Sequence, residues 1–165
     1  MPSDTTVPLP RRPVPLLLVL LAVSYAVAAL GGLAAADAGE VYASLRLPGW
    51  APPGWVFGPV WTVLYGTLAV AAWLVLLRGT AAARRPALVW WAAQLLLNLL
   101  WTPLFFGAGA YGWALVDIVL LLAAVVGTVA AFARAHRPAA WLLVPYLLWV
   151  AFATALNGAV LVLGG

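Results

Sequence analysis

The sequence contains no cysteine and no lysine, a single histidine, His136, and only four acidic residues. Without cysteine the chain forms no disulfide and offers no thiolate as nucleophile or metal ligand. One histidine in a predicted loop cannot build a metal cluster. Asp117 is the only carboxylate within a predicted helix, so no second acid is available for paired acid and base catalysis. Thiol chemistry, a metal centre and ordinary hydrolysis are therefore disfavoured as functions.

Apolar side chains dominate what is present. They make up 67% of the 165 residues, charged residues make up 7%, and the mean hydropathy is +1.10, whereas soluble domains are roughly 45–50% apolar. Five segments approach the ~20 residues that cross a bilayer, namely 14–36, 57–77, 88–106, 113–133 and 140–163. The sequence predicts an all-α integral membrane protein, a single bundle of five transmembrane helices over 14–165, after a short cytoplasmic tail, 1–13.

Two further expectations follow from these segments. The apolar run of 14–36 exceeds the ~7–15 residues of a signal peptide, so we interpret it as a retained helix. The connections between segments are short, which favours antiparallel packing of helices in chain order.

The basic residues are distributed asymmetrically. With five crossings, seven of the eight arginines lie on one face: Arg11, Arg12, Arg78, Arg84, Arg85, Arg134 and Arg137. The opposite face has only Arg46, beside Asp37 and Glu40. The positive-inside rule then predicts a cytoplasmic N-terminus and an external loop over 37–56. The net charge of +4 is thus a topology signal, and no nucleic-acid partner is expected.

The external loop runs into the second helix through an unusual stretch, "RLPGWAPPGWVFGPVWTVLY", residues 46–65. Its prolines fix the backbone and disfavour helix before them, which predicts a stiff, non-helical entry. Within the helix, Phe57, Trp61 and Tyr65 recur at every fourth residue. They therefore share one face.

Two other helices carry similar stripes. In the third, Trp91, Gln94, Asn98, Trp101 and Phe105 follow spacings of 3, 4, 3 and 4, and the amides should point into the bundle because hydrocarbon offers them no partners. In the fifth, Tyr146, Trp149, Ala153 and Asn157 share a face. Interhelical packing with hydrogen bonds is one interpretation; the other is a pocket in which a flat apolar ligand stacks between aromatic faces.

Several features have more than one interpretation. The aromatic belt at the membrane interface suits Trp73, Trp90, Trp113 and Trp141. Asp117 is either a structural, hydrogen-bonded group or a proton or polar site. Pro103 and Pro145 each remove an intrahelical hydrogen bond and bend their helices. The small residues Ala28, Gly32 and Ala36 form a stripe that is a candidate dimer seam.

The stretches "LPGWAPPGWVFGPVWTVLY", "WWAAQLLLNLLWTPLFFG" and "PYLLWVAFATALNG" resemble, in this order, the signatures of the TspO/MBR family of tryptophan-rich sensory and translocator proteins. The resemblance spans roughly 14–163. It implies a five-helix bundle, commonly a homodimer, whose cavity lies beneath a lid-like first loop and binds porphyrins, sterols and drug-like ligands.

The resemblance and the helical stripes together give a set of candidate ligand-binding residues: Trp50, Pro52, Phe57, Trp61, Tyr65, Trp91, Gln94, Asn98, Trp101, Phe105, Tyr146, Trp149, Ala153 and Asn157. A ligand carboxylate is expected to meet Arg46, although the basic residue that often precedes the loop proline in the family is Leu47 here. The helix-four tryptophan of many members is also missing.

The expected function is that of a membrane receptor or sensor for a porphyrin such as protoporphyrin IX, or for a sterol-like molecule. No cofactor is required, and without cysteine or an intramembrane histidine as axial ligand a metal-free porphyrin suits better than haem. Transport of such lipophiles and light-dependent porphyrin breakdown, with no conventional catalytic residue, are the alternatives. The expected location is a bacterial cell membrane; a bacterial or mitochondrial outer membrane is the alternative that the resemblance implies.

Overall fold

A computed structural model describes residues 13–164. The predicted tail, with Arg11 and Arg12, lies outside the described residues except for Pro13. Within the described range the helices are α1 (Pro13–Ala34), α2 (Ala38–Ser44), α3 (Phe57–Arg78), α4 (Ala81–Thr102), α5 (Tyr111–Ala135), α6 (Arg137–Leu142) and α7 (Val144–Leu163), with a 3-10 turn at Gly54–Val56 and a π-helical turn at Pro103–Gly107.

Five spans in this part of the chain are long and apolar enough to cross a membrane: α1, α3 with the 3-10 turn, α4 with the π-helical turn, α5, and α6 with α7. No strand occurs between residues 13 and 164. The predicted all-α bundle of five transmembrane helices is therefore confirmed.

The third span begins at Ala81, whereas the hydropathy pattern placed its start at residue 88. The Thr80 side chain accepts a hydrogen bond from the Ala83 backbone N–H and caps the helix. Arg84 and Arg85 lower the local hydropathy without interrupting the helix, and Pro86 is accommodated near its start. Hydropathy alone thus missed the first two turns.

The two prolines that were predicted to bend their helices, Pro103 and Pro145, both lie at interruptions of regular helix. Pro103 begins the π-helical turn, in which the Ala108 N–H reaches the Pro103 carbonyl at 2.8 Å. Pro145 follows the break between α6 and α7 at Leu143. A proline has no N–H to donate to the carbonyl four residues earlier, which accounts for an interruption at each position.

The helices do not pack strictly in chain order, contrary to expectation. Around the bundle the order is α1, α3, α6 with α7, α5 and α4, and α4 closes the ring against α1. Short connections fix which ends of the helices meet, but side-chain volume decides which faces pack. We call the end with Arg78, Arg84, Arg85, Arg134 and Arg137 the arginine end, and the opposite end, with residues 35–56 and 103–110, the loop end.

The closest helix pair is α4 with α5, and Gly127 permits it. A Cβ at Gly127 would lie 2.8–2.9 Å from three ring atoms of Trp90. The indole thus packs directly on the α5 backbone. Small residues allow this close approach of membrane helices, where dispersion rather than water exclusion drives association.

We expect Gly127→Ala to lower the thermal unfolding temperature in detergent, because overpacking of this kind costs roughly 1–3 kcal/mol. Gly112→Ala is the matched control, since no atom lies within 4 Å of a Cβ at that α5 position and alanine has the higher helix propensity. Equal unfolding temperatures for Gly127→Ala and the wild type would show that Trp90 rotates away without cost.

Candidate ligand cavity

A cavity of about 370 Å³ lies toward the loop end of the bundle, between α1, α3, α4 and α7. Residues of α2 and Gly54 of the 3-10 turn cover it. The volume is within the ~300–1,000 Å³ of small-molecule sites. The first loop and four of the five spans therefore enclose one chamber.

Aromatic side chains form the bulky part of the wall, and the other lining residues are mostly alanine and glycine. Phe57, Trp61 and Tyr65 line it from α3, and the rings of Trp61 and Tyr65 are 5.6 Å apart. They follow one another at helical spacing, so one face of α3 presents all three. Trp101 lines the cavity from α4 and Trp149 from α7. Flat apolar surface thus faces the cavity from three helices.

The cover is fastened by Tyr42 of α2. Its hydroxyl donates to the Pro52 carbonyl at 2.9 Å, its ring packs edge-on against Phe57 at 5.1 Å, and a Cβ at Gly54 would lie 3.4 Å from that ring. Burial raises the pKa of the Tyr42 hydroxyl above its ordinary value, so the group stays protonated and keeps donating. Proline rigidity and this bond hold the loop over the cavity.

A chain of hydrogen bonds lies at the base of the cavity. Tyr65 donates to Asn98 Oδ1 at 2.7 Å, Asn98 Nδ2 donates to the Tyr146 hydroxyl at 3.0 Å, and Tyr146 donates to Gln94 Oε1 at 2.6 Å. All four side chains are buried. The network joins α3, α4 and α7, and exposes only Tyr65 and Asn98 to the cavity.

A second polar connection holds Trp101. Its indole N–H donates to Asn157 Oδ1 at 3.1 Å, and Asn157 Nδ2 donates to the Tyr111 carbonyl at 3.0 Å. The Phe105 ring stacks on Trp101 at 4.9 Å. The orientation of this wall is therefore set from behind by α5, α7 and the π-helical turn.

The structure separates the candidate residues into three groups. Those that line the cavity are Phe57, Trp61, Tyr65, Asn98, Trp101, Trp149 and Ala153. Five others lie behind the wall: Gln94, Phe105, Tyr146 and Asn157 support it through the contacts above, and the Trp91 indole donates to the Leu68 carbonyl at 3.1 Å within the core.

The remaining candidates lie elsewhere. Trp50 is in the loop, with its ring 5.7 Å from that of Phe152, and Pro52 contributes its carbonyl to Tyr42. Arg46 is exposed just after α2 and is not among the lining residues. Asp117 is buried within α5, and its Oδ2 has no hydrogen-bond partner among the described residues.

Sequence reasoning missed the contribution of α1. Tyr25, Ala28, Gly31 and Gly32 line the cavity, and the Tyr25 hydroxyl donates to the Thr62 carbonyl of α3 at 2.9 Å. Ala28 and Gly32 belong to the stripe interpreted as a dimer seam, whereas Ala36 lies beyond the end of α1. Small side chains signal close approach but do not distinguish a partner helix from a cavity. The homodimer stays a prediction.

Many residues of the cavity wall belong to the sequence stretches that resemble the TspO/MBR signatures. Comparison with known proteins tests that resemblance. Residues 18–163 match the profile of the TspO/MBR family. The chain belongs to the TspO/MBR family.

Relatives in this family come from several kingdoms. The chain is 45% identical to the translocator protein of Homo sapiens over 118 residues, 70% of each chain. It is 46% identical to the tryptophan-rich protein TspO of Chlorobaculum tepidum over 123 residues, 73% of this chain and 77% of that one. It is 41% identical to the tryptophan-rich sensory protein of Cereibacter sphaeroides over 143 residues, 86% and 87%. The TspO/MBR chain described here is thus an integral membrane protein of the translocator and sensory type.

We expect Tyr146→Phe to destabilise this TspO/MBR protein by ~1 kcal/mol, because it removes two interhelical hydrogen bonds of ~0.6 kcal/mol each and leaves Gln94 Oε1 and Asn98 Nδ2 without that hydroxyl. Thermal unfolding in detergent measures the change. Tyr111→Phe is the control: its hydroxyl makes no hydrogen bond within residues 13–164. Equal stability of Tyr146→Phe and Tyr111→Phe would show that the network contributes no net stability.

Proposed function

We propose that this protein is a membrane receptor or sensor that binds a porphyrin, or a similarly flat lipophilic molecule, in the cavity under the first loop. The observation that carries the proposal is the form of the cavity wall. Trp61, Trp101 and Trp149 present aromatic surface from three helices, and a macrocycle has two apolar faces on which such rings stack.

The polar groups suit a ligand with few hydrogen-bonding atoms. Tyr65 and Asn98 are already bonded to each other, so a bound apolar face does not strip them of partners. The Trp149 indole nitrogen is buried and has no partner within the described chain, so it is a donor available to a ligand acceptor. This balance favours a mostly apolar molecule with one or two acceptors, as in a tetrapyrrole or a sterol-like compound.

The side chains of the cavity also bear on whether a bound porphyrin carries a metal ion. The histidine of the chain, His136, lies between α5 and α6 at the arginine end, away from the loop end toward which the cavity lies. The lining side chains include no histidine, cysteine or methionine, which are common axial ligands of haem iron. The hydroxyls of the lining tyrosines, Tyr25, Tyr42 and Tyr65, each donate to an acceptor of the protein. A metal-free porphyrin is therefore the better candidate, with its acidic edge directed outward toward the segment that carries Arg46.

Titration with protoporphyrin IX in the dark, followed by quenching of tryptophan fluorescence, tests the proposal. We expect saturable quenching by the wild type and a dissociation constant at least about tenfold higher for Trp61→Ala, which corresponds to ~1.4 kcal/mol of lost stacking. Trp61 makes no side-chain hydrogen bond within residues 13–164, so its removal leaves the network under the cavity in place.

Trp141→Ala is the matched control, because that indole is 73% exposed at the surface of α6 and lies outside the cavity. It should leave the dissociation constant unchanged. The proposal fails if the wild type shows no saturable quenching, or if Trp61→Ala and Trp141→Ala bind equally well with unchanged helix content.

A further inference from the structure

A second concave surface lies beside the cavity, on the lipid-facing side of the bundle. It is a cleft between the first halves of α3 and α7, lined by Pro59, Val60, Val63, Leu64, Pro145, Leu148, Trp149 and Phe152. Val63 and Leu148 are 64% and 65% exposed, so the mouth of the cleft faces the hydrocarbon. Every lining side chain is apolar or aromatic.

Trp149 separates the cleft from the cavity. It is the residue that lines both, and its ring contacts Phe57 of α3 at 5.6 Å and Phe152 at 5.5 Å between centroids. One indole thus forms the partition between the ligand cavity and the bilayer on this side. Its displacement would join the two spaces.

The seam between α3 and α7 is held by few interactions. No hydrogen bond between described residues joins α3 directly to α7, and α3 packs closely against α6 rather than α7. By contrast, α1 is tied to α3 by Tyr25 with Thr62 and by the Trp73 indole N–H, which donates to the Pro13 carbonyl. Aromatic contacts, rather than hydrogen bonds, close the α3–α7 side.

The partition itself has no polar anchor. The Trp149 indole nitrogen is buried and has no hydrogen-bond partner within the described chain. An unpaired buried donor is unfavourable, and a rotation of the ring breaks no hydrogen bond. Trp101, on the opposite wall, is held by Asn157. Trp61 also makes no side-chain hydrogen bond among the described residues, but it does not line the cleft. Trp149 is therefore the indole between the two spaces that can rotate without breaking a hydrogen bond.

We propose that the lipophilic ligand enters the cavity from the bilayer, through the cleft between α3 and α7, and that Trp149 is the gate. The inference rests on the proposed function, since it describes the route to the same cavity. A ligand that partitions into lipid reaches the cleft mouth at Val63 and Leu148 without crossing the first loop, which Tyr42 and the prolines hold in place.

The proposed route predicts an effect on the rates of binding and release that can be distinguished from an effect on affinity. A change confined to the entrance alters the barrier for entry and for exit equally, so the association and dissociation rates change by the same factor and the dissociation constant does not change. A change in the cavity wall instead alters the dissociation constant. Val63 and Leu148 line the cleft but not the cavity, which makes them suitable positions.

The test uses the double variant Val63→Cys/Leu148→Cys, in which the introduced thiols are the only ones because the chain has no cysteine. The protein is placed in lipid nanodiscs and linked with a bis-maleimide that contains a reducible disulfide spacer. Binding of protoporphyrin IX is followed by stopped-flow tryptophan quenching. We expect both rates to fall at least tenfold after linking and to recover after reduction, with the same dissociation constant throughout.

A pair of single variants supports the measurement where linking perturbs the fold. Leu148→Trp adds bulk at the cleft mouth and should slow both rates several-fold, whereas Leu96→Trp adds the same bulk at a lipid-facing position of α4 that is 69% exposed and should leave both rates unchanged. Unchanged rates in the linked protein and in Leu148→Trp would overturn the proposal, and so would a change in the dissociation constant without a common change in rates. Absence of binding in the unmodified protein would instead refute the proposed function.

Discussion

The structure depends on the requirement that polar side chains inside a membrane find partners in the protein. Lipid tails offer no hydrogen bonds, and the buried groups of Tyr65, Asn98 and Tyr146 find partners in one another and in Gln94 Oε1. Gln94 Nε2 has no hydrogen-bond partner among the described residues. The network of these four side chains fixes α3, α4 and α7 at one depth. Although such bonds average only ~0.6 kcal/mol in membranes, their geometry is directional. They therefore specify which helix faces meet. The same arrangement of helices determines the shape of the cavity above the network.

The sequence predicted the network face of α4 because amides at spacings of three and four leave one inward orientation. It placed Trp91 and Asn98 on one stripe, but a stripe extends over several turns, and only its loop-end part reaches the cavity. The position along the bundle at which α3 and α7 move apart determines which turns of the stripe reach the cavity. The periodicity of the sequence does not specify that position. Tyr146 shows the same limit: its hydroxyl is used twice below the wall.

The contribution of α1 could not be predicted for a different reason. Its cavity-lining residues are mostly Ala and Gly, which differ little from the rest of an apolar helix, and its polar group, Tyr25, reads equally well as an interfacial anchor. Small residues form part of a wall by leaving space rather than by making contacts. The small residues of α1 can be assigned to the cavity only after the opposite wall, with Trp61 and Trp101, is known.

The position of the cavity follows from the volumes of the side chains along the bundle. At the arginine end the core consists largely of buried alanines, which include Ala69, Ala71, Ala72, Ala87, Ala139 and Ala140, and these allow the backbones to approach closely. Toward the loop end, indole and phenol rings replace them, and Pro103 interrupts the helix of the third span. Rings of that size keep α3 and α7 apart, while the short side chains of α1 leave the space between them unfilled. The distribution of alanine and tryptophan along the helices thus explains why the bundle is tightly packed at the arginine end and wide and aromatic toward the loop end.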